Sequence, residues 1–541
     1  MSAADAHQDR TAALAASVAE ALGAAEIDGM RRLSGGASRE TWAFDADGRP
    51  LILQRRRPGG GVRGPGPAVE PALLRAAAAA GVPVPTVVAD GEGGPLGEAW
   101  LIVERIDGET IPRRILRDEP FAHARSVLTT HCALALAAIH AIDPADVPGL
   151  DAGDQVAQFR ELLDALGEPH PSFELGFRWL EAHAPPVRHD HVVHGDFRNG
   201  NLIVGSEGLR AVLDWELAHL GDPLEDLGWL CVRSWRFGAP GRVGGFGEVD
   251  ELVAVYEEAT GRPVDRDALH WWEVLGTLKW GVMCMLQAST HLSGVARSVE
   301  LAAIGRRVCE VEHDLLLLLP GGRSAIGSAV AAVPADGGGW DDAARSRDAT
   351  GSGEAAGSRE APESGEAPGP GDAAGSGEAA GSREAAVSGE ETVSREAAGA
   401  REAGASRQAP GPGEAPESGA APEPPGVSVP HDAPSARQLV EAVREFLEGD
   451  VMGATEGRVR FHARVATNVL AMVERELAHG PALAAAHVAR LQTIGAGSEA
   501  ELAEAIRSGT LDDRWDEIIA AVAATVAAKL AVANPRYAVP G

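Results

Sequence analysis

From about residue 321 to 433 the chain carries Gly, Ala, Pro, Ser and Glu and almost no large apolar side chain. Short units recur there: Gly-Ser-Gly-Glu-Ala-Ala at Gly351–Ala356 and Gly375–Ala380, and Gly-Ser-Arg-Glu-Ala at Gly381–Ala385. Such a segment cannot bury enough apolar surface to offset its ordering entropy. Its repeats also lack a hydrophobic face to stack. A disordered linker is therefore expected over 321–433. It leaves two regions of the 541 residues able to build a core, 1–320 and 434–541.

Charge narrows the partners. The formal net charge is −31, which opposes generic binding to nucleic acid or to an anionic membrane surface. Between Asp336 and Glu423 alone there are 18 acidic and 7 basic residues, so about a third of the excess lies in the linker. No apolar run reaches the length of a membrane span, and Met1–Arg10 has no apolar core of a signal peptide. Cys132, Cys231, Cys284 and Cys309 are far apart in sequence and read as reduced core thiols. A cytoplasmic protein is expected.

The first region reads as α+β. Strand-like Thr41–Phe44 and Leu51–Leu53 follow the glycine-rich Leu33-Ser-Gly-Gly-Ala-Ser-Arg39. Glu70–Ala80 reads as a helix stopped by Gly81-Val-Pro-Val-Pro85, and Ala99–Arg105 as an apolar strand ending at Asp107-Gly108. Helical periodicity then dominates, over 122–142, 154–166, 252–260, 271–292 and 299–319. The last region is all-helical, with stripes over 439–447, 465–477, 482–491, 499–506 and 515–530, and Ser435 as N-cap of the first.

The chemistry concentrates in His194-Gly-Asp-Phe-Arg-Asn-Gly-Asn201-Leu-Ile-Val and Leu213-Asp-Trp-Glu216. These place Asp196, Asn201 and Asp214 in order beside two short apolar strands. One carboxylate can orient a substrate hydroxyl, while an amide and a second carboxylate hold Mg²⁺ on a nucleotide. Asn199-Gly200-Asn201 is also turn chemistry, and the turn would present the ligand.

With the small sheet-rich part ahead of a larger helical one, this order resembles the aminoglycoside-phosphotransferase family. The closer resemblance is to phosphotransferase domains associated with acyl-CoA dehydrogenases. The likeness covers about residues 20–320 and rests on Leu33–Trp42, Gly81–Pro85, His194–Val204, Leu213–Glu216 and Gly221-Asp-Pro-Leu-Glu-Asp226. It implies a bilobal protein-kinase-like fold. The nucleotide-binding lobe and hinge would span 1–108 and the helical catalytic lobe 109–320. It implies an ATP- and Mg²⁺-dependent O-phosphotransferase acting on a small-molecule hydroxyl, with Asp196 catalytic and Asn201 and Asp214 on the metal. Ser34, Gly35, Gly36, Ala37 and Ser38 would fold over the phosphates, and Glu104 and Ile106 would lie at the adenine hinge. His194, Glu216 and Asp222 would support the loop, Asp222 by capping a helix begun by Pro223.

One position departs from the family pattern. Related kinases anchor phosphate with Lys or Arg near the end of the strand matching Leu51–Arg57, paired to a helix glutamate. The only lysines here are Lys279 and Lys529, and strict register puts Gln54 at that position. Arg55 could reach the phosphates if the strand carries a bulge, with Glu70 as partner; Arg56 points the same way as Gln54. This departure keeps open a catalytically weak, nucleotide-binding scaffold.

The acceptor side reads Cys231-Val-Arg-Ser-Trp-Arg-Phe-Gly-Ala-Pro-Gly-Arg242, and Arg113, Arg114 and Arg117 add a basic run. Arg233, Arg236 and Arg242 favour an acceptor with an anionic part, such as a hydroxyacyl-CoA, over a polycationic aminoglycoside. A functional link to an acyl-CoA dehydrogenase is expected on the resemblance. Residues 434–541 resemble an uncharacterised helical domain found beside these phosphotransferases. Arg460, Arg464 and Asn468 would share one helix face there, as an anion site, a docking surface or a solvated face.

Overall fold

A computed structural model describes residues 3–33, 39–56, 69–97, 99–332 and 434–537. The expected glycine-rich phosphate loop, Ser34–Ser38, and the expected linker beyond 332 lie outside these residues.

The small lobe is a five-stranded antiparallel sheet of order β1-β2-β3-β5-β4. Its strands are β1 (Ile27–Leu33), β2 (Arg39–Ala46), β3 (Arg49–Arg56), β4 (Val87–Glu92) and β5 (Ala99–Glu104). Asp47 and Gly48 both take positive φ between β2 and β3, the geometry of a tight two-residue hairpin turn. Period-two alternation sorts the faces. Trp42, Phe44, Leu51, Leu53 and Ile102 bury against Leu14 and Val18 of helix α1 (Ala3–Leu22). On the other face Leu101 and Val103 join a core with Leu73 and Leu74 of α2 (Val69–Ala79).

That second core runs on into the larger lobe, through α4 (Ala122–Ile139, after the short α3, Pro112–Arg117) to Val192, Phe197, Leu202 and Trp215. The lobes therefore share apolar packing below the sheet. Residues 105–111 connect them, and Glu109 pairs with Val204 through two backbone hydrogen bonds of 2.9 and 3.0 Å. Two hairpin-like pairs carry the functional loops: β6 (His191–Val193) with β9 (His219–Gly221), and β7 (Leu202–Gly205) with β8 (Gly208–Val212).

The remaining helices of the lobe are α5 (Gln155–Leu166), α6 (Pro171–Ala182), α7 (Pro223–Cys231), α8 (Val249–Thr260) and α9 (Arg266–Leu292). They are followed by α10 (Val299–Gly305), α11 (Val308–Leu318) and α12 (Gly322–Ala332). The helix expected over 299–319 is thus two, broken at Arg306–Arg307. Residues 322–332, expected to belong to the linker, are instead helical: Ile326 and Ala329 of α12 reach the core formed with helix Trp515–Ala533.

The C-terminal region begins with α13 (Ala436–Phe446), capped by Ser435 in a full capping box with Gln438. The stripes expected over 465–477 and 482–491 belong to one helix, α14 (Gly457–Thr493), which runs through Pro481. Proline removes the bond to the carbonyl of Leu477, a residue 47% exposed, so solvent can take that group. Helices α15 (Glu499–Arg507) and α16 (Trp515–Ala533) complete the region. All four cysteines are buried, and none forms a disulfide. Among the described residues no helix is long and apolar enough to cross a membrane.

Candidate functional site

The loop after β6 is held by a buried carboxylate. Asp226, fully excluded from solvent on α7, accepts from the backbone N–H groups of His194 (2.7 Å) and Gly195 (2.9 Å) and bonds His140 Nε2 at 3.1 Å. Burial opposes its ionisation, but the bond and charge of His140 outweigh that and hold its pKa below the usual carboxylate value. Gly195 takes φ +76°, and a Cβ there would lie 2.3 Å from the carbonyl oxygen of Leu217. Only glycine fits this turn. His194 is buried, which lowers its pKa and favours the neutral ring. Its Nδ1 accepts from the N–H of Asp196 (3.2 Å) and its Nε2 donates to the carbonyl of Leu213 (3.0 Å). His194 thus ties the Asp196 loop to the Asp214 loop. Asp222 caps α7 by accepting from Leu224 N–H, and also accepts from Arg188 N–H.

Asp196 is 8% exposed and its carboxylate is held on both oxygens. Oδ2 accepts from Asn201 Nδ2 at 2.6 Å. Oδ1 accepts from Arg198 Nε at 2.9 Å and from the indole N–H of Trp229 at 2.8 Å. The Arg198 guanidinium lies 4.4 Å above the ring of Trp235. A carboxylate has about four acceptor positions. Three are filled, which fixes its orientation and leaves room for one further donor.

Asn201 and Asp214 come together because the Leu213 N–H donates to the Asn201 carbonyl at 2.8 Å. Asn201 is 1% exposed. Its amide nitrogen is spent on Asp196, while its Oδ1 is buried without a hydrogen-bond partner. Asp214 takes φ +68°, the left-handed region that costs a non-glycine residue about 1–2 kcal/mol. An orphaned amide oxygen beside a strained carboxylate is the donor set a hard divalent cation takes, so the residues fit Mg²⁺. Glu216, partly buried, lies two residues beyond Asp214.

On the nucleotide side the expected Arg55 anchor is corrected. Strands β2 and β3 pair without a register shift from Arg39↔Arg56 to Ala46↔Arg49, so there is no bulge. Arg55 therefore shares the face of Leu51 and Leu53, away from α2. Its partner is Glu40, opposite on β2, at 2.6–2.7 Å, rather than Glu70 in the first turn of α2. Gln54 holds the position on the α2 face. Glu104 ends β5 and Ile106 lies in the connection between lobes, where the hinge was expected. The Glu104 side chain turns to Thr86 and Arg49, which lower its pKa.

The three arginines expected to face the acceptor, Arg233, Arg236 and Arg242, are engaged by carboxylates. Arg236 and Arg242 converge on the two oxygens of Glu273, a 4% exposed residue of α9, at 3.1 and 2.7 Å. Arg233 meets Asp314 at 3.4 Å. Two carboxylates face three guanidiniums there, and Glu248 adds a further negative charge beside Arg242. Arg114 and Arg117 of the hinge run pair with Glu109 and Asp118. Sequence reasoning did not single out Arg198, Trp229, Trp235 or Glu273. Arg198 was legible only as a motif neighbour, and the tryptophans only as a cluster.

Residues 29–272 match the model of the phosphotransferase enzyme family, and residues 453–537 match a family described as a domain of unknown function. The 29–272 region is a phosphotransferase-family domain. The chain is similar to acyl-CoA dehydrogenase family member 10 of Mus musculus, 31% identical over 216 residues, covering 36% of this chain and 20% of that protein. It is similar to acyl-CoA dehydrogenase family member 11 of Gallus gallus at 28% identity, covering 37% and 27%. Hygromycin-B 4-O-kinase of Escherichia coli is 26% identical over 218 residues, covering 36% and 60%. The chain thus spans about a fifth to a quarter of the length of the dehydrogenase relatives. Among solved structures, aminoglycoside phosphotransferase APH(4)-Ia with ADP and hygromycin B is 19% identical with a TM-score of 0.39, covering 56% of this chain and 98% of that one.

Proposed function

We propose that the chain is an ATP- and Mg²⁺-dependent phosphotransferase that acts on the hydroxyl of a small molecule in the cytoplasm. The observation that carries this reading is the Asp196 carboxylate, held by Asn201, Arg198 and Trp229, next to the unpartnered oxygen of Asn201. Asp196 has one acceptor position left for a substrate hydroxyl. That hydrogen bond aims the oxygen at the γ-phosphorus. As the new O–P bond forms, the bond from phosphorus to the bridging oxygen of ADP breaks, and the hydroxyl proton passes to Asp196. The transition state is loose, so orientation contributes more than basicity. Asn201 and Asp214 would hold the Mg²⁺, which when bound offsets the phosphate charge. Arg198 holds the Asp196 carboxylate in place.

For the acceptor we favour an alcohol with an anionic part, such as a hydroxyacyl-CoA. Support comes from the names of the dehydrogenase relatives and the three guanidiniums gathered in the Arg233–Arg242 segment. The same relatives support a functional link to an acyl-CoA dehydrogenase. The kinase relative named for hygromycin B makes an aminoglycoside the competing acceptor.

A second reading, a nucleotide-binding scaffold with little turnover, is favoured by Gln54 on the α2 face and by Arg55 turned to Glu40. One experiment separates the three. Purified protein and Asp196→Asn are incubated with Mg·ATP and either hydroxyacyl-CoAs or hygromycin B. We expect transfer to the thioester alcohols, reduced roughly 10²–10⁴-fold by Asp196→Asn. Transfer to hygromycin B alone would reject the anionic acceptor. Nucleotide binding without transfer would favour the scaffold, and equal rates in the two proteins would remove Asp196 from the chemistry.

A further inference from the structure

The core of the larger lobe does not end with that lobe. Ile518, Ile519, Val522, Val526 and Leu530 of α16 are buried in the same cluster as Trp229, Trp235 and Trp280. Charges bind the two regions at the same seam. Glu312 of α11, 1% exposed, accepts from Ser172 (2.9 Å), bonds His170 (2.9 Å) and pairs with Lys529 of α16 (3.3 Å). Burial alone would raise its pKa, but the charge of Lys529 and the bonds from His170 and Ser172 bring it down to about 2.

The chain segment after α16 then reaches toward the candidate site. Asn534 Nδ2 donates to Glu310 (2.8 Å) and the Tyr537 hydroxyl donates to Asp314 Oδ2 (2.5 Å). Asp314 is 3% exposed, and its other oxygen meets Arg233 (3.4 Å) and His313 (3.1 Å). The Arg233 guanidinium also lies 5.2 Å from the centre of the Tyr537 ring. Arg233 opens the short turn Arg233–Arg236, and Trp235 of that turn packs on Trp229 (5.2 Å) and Trp280 (4.8 Å). Trp235 carries Arg198, and Arg198 and Trp229 both hold Asp196 Oδ1. An unbroken series of contacts therefore runs from Tyr537 to the carboxylate.

We infer that the C-terminal helical region is a positioning element of the phosphotransfer site: Tyr537, through Asp314 and Arg233, holds the turn whose Trp235 supports Arg198 against Asp196. The physical reason is the buried charge of Asp314. With both partners present it is compensated, and Arg233 is pinned. Without the Tyr537 hydroxyl, Asp314 loses a donor it cannot replace from solvent, and the Arg233 turn is free to shift. A shift of the turn moves the ring under Arg198. Small displacements of an orienting carboxylate reduce turnover without weakening nucleotide binding.

The inference rests on the proposed function for its consequence in turnover, but not for its structural content. The test uses the full chain and Tyr537→Phe, which keeps the ring. Amide hydrogen exchange is followed over 194–201 and 231–236, together with ATP hydrolysis in the absence of any acceptor. As a control, Arg306→Ala breaks the exposed Arg306–Glu476 pair between the same two regions. We expect Tyr537→Phe to speed exchange in both segments by roughly tenfold, the size of one lost bond to a buried charge. We also expect kcat for hydrolysis to fall several-fold with KM for ATP unchanged, and Arg306→Ala to leave both readouts unaltered. Faster exchange confined to 530–537, with 194–201 unchanged, would overturn the inference. So would an equal response to Arg306→Ala. If the wild-type protein hydrolyses no ATP, the proposed function is what fails, and the exchange data still decide this one.

Discussion

Lys279 is one of two lysines in the chain, and it is 5% exposed. Its ammonium meets Glu225 Oε1 at 2.7 Å, and Glu225 Oε2 bonds His219 at 3.1 Å. Glu225 adjoins Asp226, so this pair fastens α7, and with it the loop clasp, to α9. Burial opposes ionisation of Glu225, but the charges of Lys279 and His219 prevail and bring its pKa to about 2, against 4.5 for a free glutamate. At about 1.4 kcal/mol per pH unit, that gap is worth about 3 kcal/mol. Because the folded pKa is the lower one, this stabilisation is fully present above about pH 4.5 and is lost as pH falls toward 2. Lys279→Met keeps the volume of the stem and strands the carboxylate, a loss of about 3–5 kcal/mol at pH 7. Adding Glu225→Gln removes the stranded charge and should recover most of it. The assay is urea unfolding followed by tryptophan emission at pH 7, 5 and 4. The gap between wild type and the single variant should narrow below pH 4.5, where protonation of Glu225 also weakens the wild type. A gap independent of pH, or a double variant no more stable than the single one, would refute the reasoning.

Three further outcomes are expected. Gly195→Ala should lower the melting temperature and abolish transfer, since its Cβ meets the Leu217 carbonyl at 2.3 Å; near-wild-type melting would contradict the turn geometry. Asn201→Ala should raise the Mg²⁺ concentration needed for half-maximal activity at least roughly tenfold, read by metal titration. An unchanged requirement would take Asn201 off the metal. Arg55→Ala should leave KM for ATP within about twofold and cost about 0–1 kcal/mol of stability, because it removes only the pair with Glu40; a large rise in KM would restore Arg55 as a phosphate anchor.

Much of the site is legible in one dimension because its chemistry is local. Asp196 and Asn201 are five residues apart on one turn, and Gly195 is demanded by the backbone of that same turn. Ser435 announces a helix by a capping box that involves only its own first turn. The missing lysine is likewise a plain fact of composition. The face on which Arg55 lies is not local. It depends on whether β3 carries a bulge, and that is decided by pairing with β2 and β5. The acceptor-side arginines read as a basic patch until Glu273, more than thirty residues away, is folded against two of them. Arg198 becomes an orienting group only when Trp235 comes beneath it.

The separation of the two foldable regions carries the same lesson. A low-complexity segment in sequence reads as a divider, and by composition it is one. Composition does not say what the flanking helices pack against. The apolar stripe of α16 could have met its own neighbours alone; instead it shares a core with Trp229 and Trp280. Hydrophobic burial is indifferent to sequence distance, so which surfaces meet is decided by shape in three dimensions. The residue types and spacing within a turn were readable from the chain, and the partners that steer them were set by the tertiary fold.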